Sequence, residues 1–144
     1  MTLFYNTVRN NWNRSSSVGN NRIVYEYFRL IRKKDVNTLL SLFADDAIVY
    51  EPFSNIDGGL KGKDSIKPFL DVVMMANDGM QHEIESVKAS DNKEKDEKVA
   101  LVTFERGEKV QARYTFELTS KQKQYEYTDE GKKIRTLHIE FISN

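Results

Sequence analysis

The sequence contains no cysteine and only two histidines, His82 and His138. Without thiols the chain can form neither disulfide bonds nor a thiolate nucleophile, and two imidazoles are too few for a zinc site of the usual kind. No P-loop, dinucleotide fingerprint or metal-ligand spacing occurs either, so no cofactor is implied. The fold must therefore be held together by packing alone.

An excess charge of either sign is also lacking, since 22 basic and 22 acidic residues give a formal net charge of +0. Such a balance offers no broad attraction to phosphate backbones or anionic membranes. The first 21 residues contain no continuous apolar stretch that would predict a signal peptide or membrane anchor. We therefore expect a cytoplasmic protein that binds neither nucleic acid nor membrane.

Residues 1–21 form a polar, asparagine-rich arm that carries the aromatic residues Phe4, Tyr5 and Trp12. Two interpretations are open for this arm. It is either a frayed terminus, which we favour, or a segment whose aromatic side chains pack on a pocket mouth or on a second subunit. The folded domain is predicted to span residues 22–144, a length at which one hydrophobic core suffices.

Helical periodicity marks three segments. From Arg22 to Lys34 apolar residues recur at steps of three and four, which predicts a helix capped by Asn20 or Asn21 and followed by a second, shorter helix with Asp35 at its N-cap. A third helix is predicted from near Asp64, with Pro68 in or near its first turn. The residues expected on the three buried faces are Ile23, Val24, Tyr27, Phe28, Leu30 and Ile31, then Val36, Leu39, Leu40 and Phe43, then Ile66, Phe69, Leu70, Val73 and Met74.

Strand-like patterns fill most of the remainder. A short strand at 47–51 is stopped by Pro52, and the glycine-rich loop Phe53 to Gly62 is a plausible pocket rim. Asp45 and Asp46 are interpreted as turn residues before that strand. Alternation of polar and apolar side chains predicts four further strands, the middle two joined at Gly107, with Ser90–Glu97 as a charged loop and a hairpin extension over 121–127 before a turn at 129–131. These strands are Met80–Ala89, Lys98–Arg106, Lys109–Ser120 and Lys132–Ser143.

Alternation also assigns faces within two of these strands. Val110, Ala112, Tyr114, Phe116 and Leu118 are expected to point inward from one strand, as are Leu137, Ile139 and Phe141 from the last. His138 and Glu140 should then lie on the outer face. The whole pattern predicts an α+β domain in which a helical layer covers a curved antiparallel sheet around an apolar pocket.

The elements follow the order helix, helix, strand, helix and four strands. Two motifs accompany them, the run Leu42-Phe43-Ala44-Asp45-Asp46-Ala47 and the pair Glu51-Pro52. In this order and in these motifs the chain resembles the nuclear transport factor 2-like superfamily and its SnoaL-like and ketosteroid isomerase-like branch. The resemblance covers nearly all of the chain after Arg22. It implies a cone-shaped, cystatin-like fold with three helices on a strongly curved, mixed sheet. It also implies a homodimer through the outer sheet face, and it leaves the reaction open because this superfamily hosts many functions.

The same resemblance implies three site residues. Glu51, immediately before the proline, stands where a ketosteroid isomerase-like enzyme has its catalytic acid, although that acid is an aspartate in the family pattern. Tyr27 corresponds to the oxyanion-binding tyrosine, and Tyr114 occupies the position of a protonated aspartate. The functional hypothesis is that Glu51 abstracts a proton next to a carbonyl while the two phenols stabilise the enolate. Residues expected to line the ligand pocket are Phe28, Tyr50, Phe53, Met74, His82, Phe104 and Phe116.

Simpler interpretations stand beside each of these roles. Tyr27 and Tyr114 are equally compatible with core aromatics, Glu51 with an exposed strand-end acid, and His82 with a surface imidazole. Arg106 and Arg113 could clamp an anion or could be ordinary surface residues. The predicted function is therefore binding of a small apolar or carbonyl-containing ligand, with isomerase, cyclase or dehydratase chemistry based on Glu51, or else an inert ligand-sensing or dimerisation module.

Overall fold

The computed structural model describes residues 21–54, 56–92, 94–119 and 131–142. The predicted arm before Asn21, the hairpin extension over 121–127 and most of the turn at 129–131 lie outside the described residues. The domain boundary at residue 22 therefore stays a prediction. Along the described parts of the chain the elements are α1 (Arg22–Lys33), α2 (Val36–Leu40), β1 (Phe43–Tyr50), β2 (Leu60–Lys61), α3 (Lys63–Ala76), β3 (Gln81–Ala89), β4 (Glu97–Arg106), β5 (Glu108–Leu118) and β6 (Ile134–Ile142).

The predicted apolar stripe of α1 is confirmed, since all six of its residues are buried. Asn21 occupies the N-cap position but makes no side-chain cap hydrogen bond, whereas the Asp35 carboxylate caps α2 by accepting from the backbone N–H of Thr38. Lys34 closes α1 in a left-handed conformation with φ of 58°. The tight turn that follows lets α2 fold back against α1, as the sequence predicts.

Pro68 lies deeper in α3 than expected. It is the sixth residue of the helix, inside it rather than in the first turn, so one intrahelical hydrogen bond to Asp64 is lost. The buried residues Ile66, Leu70 and Met74 hold this helix against the core nevertheless. No helix in the described ranges is long and apolar enough to cross a bilayer, and the cytoplasmic location stays a prediction.

The sheet has the strand order β2-β1-β6-β5-β4-β3. β1 runs parallel to β6, with Tyr50 opposite His138, and the other neighbouring pairs are antiparallel. The fold is therefore α+β with a mixed sheet, as predicted. Helices cover one face of this sheet, which we call the inner face, and the core cluster joins the three helices to it.

One local interpretation of the sequence was wrong, and one short strand was missed. Asp45 and Asp46 lie within β1 rather than in a turn before it, because β1 begins at Phe43 and the β1–β6 register shifts between Phe43 and Ile48. The glycine-rich loop also contains β2, which pairs with β1. Gly59 has φ of +80°, and a Cβ atom there would lie 2.8 Å from the Val49 carbonyl oxygen, so the loop can approach β1 only with glycine at this position.

Candidate functional site

The inner face of the sheet is sealed at one end and open at the other. Along β5 the inner row is buried from Leu118 to Ala112 but ends at Val110, which is 41% exposed. Along β6 the row is buried from Ile134 to Ile139 and ends at Phe141, which is 47% exposed. The inward alternation was thus predicted correctly, but the last residue of each row is not covered. We call this end of the sheet the open end.

The strand directions bring several termini to the open end. β1, β4 and β6 finish there, and β3 and β5 begin there, because β1 is parallel to β6 and the other pairs alternate in direction. The loop after β1 and the first residues of β3 therefore face the same opening. Glu51, Phe53, His82 and Phe104 all belong to this region, which is where polar groups meet the apolar interior.

Six aromatic rings connect α1 to the inner face of β3, β4 and β5. We call them the aromatic cluster: Tyr27, Phe28, His82, Phe104, Tyr114 and Phe116. The Tyr27 ring lies 4.9 Å from Phe28, 5.5 Å from Phe116 and 6.0 Å from Tyr114, measured between ring centroids. Phe28 lies 4.9 Å from Tyr114 in an edge-to-face arrangement, one of the geometries that aromatic pairs prefer. The six rings are thus linked by successive contacts into one packed cluster.

Tyr27 carries an unsatisfied hydroxyl at the inner end of this cluster. Its side chain is 1% exposed, and the Oη atom has no hydrogen-bond partner among the described residues. Burial raises the pKa of Tyr27 well above its ordinary value, and the nearby Tyr114 adds to the rise. The phenol is therefore a neutral donor at any physiological pH. A buried hydroxyl without a partner costs about 1–3 kcal/mol, so an acceptor that reached it would be bound favourably.

Tyr114, on β5, lies beside Tyr27 of α1. Ala112 and Phe116 flank Tyr114 on the same face of β5. It is 7% exposed, whereas both of those neighbours are fully buried. Burial raises the pKa of Tyr114, which keeps this phenol protonated as well. The structure therefore brings together two of the three predicted catalytic residues, and both are neutral donors.

His82 is the third polar member of the aromatic cluster. Its ring contacts Phe28 at 5.6 Å and Phe104 at 6.0 Å, and the Arg32 guanidinium lies 3.3 Å from its Nε2 atom. Burial and, secondarily, the charge of Arg32 lower the pKa of His82 to about 4. The imidazole is therefore neutral at pH 7. Because it is half-buried in the cluster, His82 is not the freely solvated surface residue of the simpler interpretation.

Glu51 lies at the open end, but its carboxylate is hydrogen-bonded to the loop that follows β1. It accepts hydrogen bonds from the backbone N–H of Phe53 at 2.7 Å and of Ser54 at 3.0 Å, and from the Ser54 hydroxyl. Its described hydrogen bonds therefore lead to the loop and not to Tyr27 or Tyr114. The predicted role of Glu51 as a general base stays a prediction.

The predicted lining residues fall into different places. Phe28, His82, Phe104 and Phe116 belong to the aromatic cluster, and Met74 is buried beneath α3. Phe53 is 71% exposed and packs its ring 5.4 Å from Phe141, at the rim of the open end. Tyr50 is placed elsewhere, because it follows the buried Val49 and so points to the outer face, where its ring meets His138 at 5.6 Å. This position does not suit a pocket residue.

The two arginines considered as an anion clamp have other partners. Arg106 donates to the backbone carbonyls of Ala76 and Asp78 and so ties β4 to the end of α3. Arg113 forms a salt bridge of 2.9 Å with Glu140 on the outer face. His138 is exposed on that face as well, as predicted. Neither arginine adds a charge to the aromatic cluster.

Sequence reasoning missed Arg32 and Phe141 as members of the site. Arg32 lies four residues after Phe28, so it shares that face of α1 and could have been found from helical spacing. Phe141 was assigned to the inner face, but only the contact with Phe53 shows it to be part of the rim. No pattern along the chain predicts that contact, because it joins a loop to the end of a distant strand.

Comparison with known proteins places these features in a family. The SnoaL-like domain model matches residues 24–140, so the chain belongs to that family. Related solved structures are described as cystatin-like or nuclear transport factor 2-like, which is the fold of this protein. Comparison with proteins of curated description gives no match.

Three solved structures show the breadth of this fold. SalBIII, described as an epoxide hydrolase/cyclase-like enzyme with a role in pyran ring formation in salinomycin, is 20% identical, with a TM-score of 0.65 over 85% of this chain and 89% of its own. A putative polyketide cyclase from Sinorhizobium meliloti is 20% identical, with a TM-score of 0.57 over 83% and 94%. The Anabaena (Nostoc) Orange Carotenoid Protein, which binds canthaxanthin, is 19% identical, with a TM-score of 0.59 over 87% and 36%. At these identities the likeness shows a shared fold.

Replacing Tyr27 by phenylalanine should stabilise the ligand-free protein, because the substitution removes a buried polar atom that has no partner among the described residues. We expect the free energy of unfolding in urea to rise by about 1–3 kcal/mol. Tyr50→Phe, at a hydroxyl on the outer surface, should change it by less than about 0.5 kcal/mol. A clear loss of stability in Tyr27→Phe would show that the hydroxyl is hydrogen-bonded in the free protein.

Proposed function

We propose that this SnoaL-like protein binds a small, largely apolar molecule along the aromatic cluster and holds it by a hydrogen bond from Tyr27. The single observation that carries the proposal is the buried Tyr27 hydroxyl, which has no partner among the described residues. Because a protonated phenol can donate, it selects a ligand with an acceptor, of which a carbonyl oxygen is the simplest. The aromatic rings would supply the apolar contact area.

The exposure of the cluster supports an approach from the open end. Phe104 and His82 are half-buried, Tyr114 is 7% exposed, and Tyr27 is almost completely buried. Solvent contact thus decreases stepwise from the open end toward Tyr27. A ligand that followed this gradient would exchange water for aromatic surface before its acceptor met the phenol. Binding sites of this kind, mostly apolar with a few placed polar groups, are the usual form of small-molecule pockets.

The relatives agree with this proposal at the level of chemistry class. Two of them are described as cyclase-like or putative cyclase proteins, and a third binds a carotenoid. Each of these descriptions involves a compound with a substantial carbon skeleton. The aromatic cluster of this chain suits such compounds better than it suits a sugar or a nucleotide, because most of its rings carry no polar atom.

A matched pair of probes tests the proposal. We expect the wild-type protein to bind 2-acetylnaphthalene about five- to tenfold more tightly than 2-ethylnaphthalene, which has a similar shape but lacks the carbonyl. Tyr27→Phe should abolish this preference, while Tyr50→Phe should keep it. Fluorescence titration measures both constants. Equal affinity for the two probes in the wild-type protein, or no binding of either, would contradict the proposal.

Proton transfer next to the bound carbonyl is a second candidate, and the position of Glu51 at the open end favours it. The two phenols would stabilise an enolate, and Glu51 would accept the proton after releasing the Phe53 and Ser54 amides. Such a step begins some, though not all, isomerase, cyclase and dehydratase reactions. The alternative to proton transfer is that the same site binds the ligand without any reaction, as in a ligand sensor.

Deuterium exchange at the α-carbon of a small cyclic ketone separates these two alternatives. If Glu51 is the base, Glu51→Gln should slow the exchange by about 100-fold or more, the usual contribution of general base catalysis. Glu140→Gln, which removes a carboxylate from the outer face, should leave the rate unchanged. Equal rates in wild type and Glu51→Gln would leave a binding function only.

We further propose that two copies associate through the outer face of the sheet. In support, the rings of Tyr50 and His138 lie 5.6 Å apart on that face, and both are accessible in the single chain. Sedimentation equilibrium should give twice the mass of the chain, and Tyr50→Glu should shift the equilibrium toward the monomer. Val72→Glu, at an exposed position on α3, is the control. A wild-type protein that sediments as a monomer at about 0.1 mM would contradict the dimer.

A further inference from the structure

Arg32 and His82 form a polar pair where the aromatic cluster reaches the open end. The Arg32 Nη1 atom lies 3.3 Å from His82 Nε2. A guanidinium has only donors, so the imidazole Nε2 must be the acceptor and the imidazole proton must be on Nδ1. A cation and a neutral ring with one free N–H donor therefore stand side by side.

Arg32 carries a positive charge that no carboxylate of the described residues neutralises. Within the described residues no carboxylate lies within salt-bridge distance of its guanidinium, whereas Arg29 on the same helix pairs with Glu26 at 2.6 Å. Lys33, the next residue, adds a second positive charge to the last turn of α1. These cations offset the negative end of the helix dipole, which would otherwise disfavour an anion here.

His82 is surrounded mainly by apolar groups. Phe28 and Arg32 face it from α1, and Phe104 faces it from β4. On β3 itself the flanking residues Gln81 and Glu83 alternate to the other face of the sheet and are exposed. Arg32 is thus the one charged group of the described residues that acts on this imidazole, and it opposes protonation.

We propose that Arg32 and His82 together bind the anionic end of the ligand, so that the preferred ligand is an apolar carboxylic acid with its acceptor-bearing body along the aromatic cluster. This inference rests on the proposed binding function. A guanidinium can hold a carboxylate through two parallel hydrogen bonds, and the imidazole N–H supplies a third donor. Because Arg32 is exposed, the carboxylate would keep part of its hydration and avoid the full cost of burial.

The position of the pair fits a ligand of moderate length. His82 and Tyr27 are both neighbours of Phe28, with centroid distances of 5.6 and 4.9 Å. A molecule with a carboxylate at one end and a fused-ring body would therefore meet aromatic side chains along its length. A hydrophobic acid would place its carboxylate on the Arg32–His82 pair at the solvent side and its apolar body against the aromatic cluster behind that pair.

Binding of an anion should also change the protonation of His82. A carboxylate next to the imidazole favours its charged form, so the pKa should rise from about 4 toward its ordinary range. Proton uptake on binding follows, and affinity for an anion should increase as the pH falls from 7 toward 5. For this linkage the probe must stay ionised, as naphthalene-2-sulfonate does.

Calorimetry on the full chain with 2-naphthoate and its neutral analogue 2-naphthamide tests the inference at pH 7. We expect the wild-type protein to prefer naphthoate by about tenfold. Arg32→Gln should remove this preference and leave the affinity for naphthamide unchanged. Arg22→Gln makes the same change of charge at the other end of α1 and should keep the preference. Arg32→Lys, which retains charge but not the fork of donors, should give an intermediate value.

Proton NMR gives a second readout that needs no substitution. The chain has two histidines, so His138 on the outer face is an internal reference for His82. Naphthalene-2-sulfonate should raise the pH midpoint of the His82 C2–H resonance and leave that of His138 in place. An unmoved His82 midpoint, equal affinity for naphthoate and naphthamide, or an equal loss in Arg22→Gln would overturn the inference. If naphthamide binds in any of these cases, the proposed apolar binding function stands; if neither probe binds, both fail.

Discussion

The packing of the Tyr27 and Phe28 side chains of α1 onto the inner face of the sheet is the contact on which the rest of the structure depends. Both side chains are almost completely buried, and they bring the helix against β3 and β5 through Tyr114, Phe116 and His82. Burying such rings favours folding because each removes a large apolar area from water. The same packing leaves the Tyr27 hydroxyl without a partner among the described residues, so the contact that stabilises the fold also buries an unsatisfied polar group.

That unsatisfied group links the fold to its proposed function. Proteins rarely leave a buried hydroxyl unpaired, and an exception asks for an explanation in terms of water, an ion or a ligand. In this chain the surroundings of Tyr27 are aromatic and the exposure of the cluster increases toward one end of the sheet. Those two facts favour a ligand that is apolar along its length and carries an acceptor at its inner end. The Arg32–His82 pair adds a preference at the outer end.

Much of the fold followed from periodicity. The buried stripe of α1, the Asp35 cap and the inward rows of β5 and β6 could all be predicted, because each depends on local spacing. How deeply each inward-facing side chain is buried could not be predicted in the same way. Alternation states which face a residue occupies, but whether Val110 and Phe141 are covered depends on where the helices end above the sheet. β2 is two residues long and too short to leave any periodic signal.

The candidate site was predicted in part, for the same physical reason. Tyr27, Phe28, Tyr114 and Phe116 lie in periodic segments, and the structure does bring them together. Tyr50 was expected in the pocket although it alternates with the buried Val49, so its outward position could have been inferred from the strand pattern. Glu51 follows the strand, where alternation no longer fixes direction, and the loop amides decide the orientation of its carboxylate.

The vibrational frequency of a bound carbonyl tests the central claim most directly. In the complex with 2-acetylnaphthalene labelled with ¹³C at the carbonyl, a hydrogen bond from Tyr27 should shift the C=O stretch to lower frequency than in a hydrocarbon solvent. The shift should vanish in Tyr27→Phe. A stretch at the hydrocarbon value in the wild-type protein, or the same lowered frequency in both proteins, would show that the Tyr27 hydroxyl does not hold the ligand.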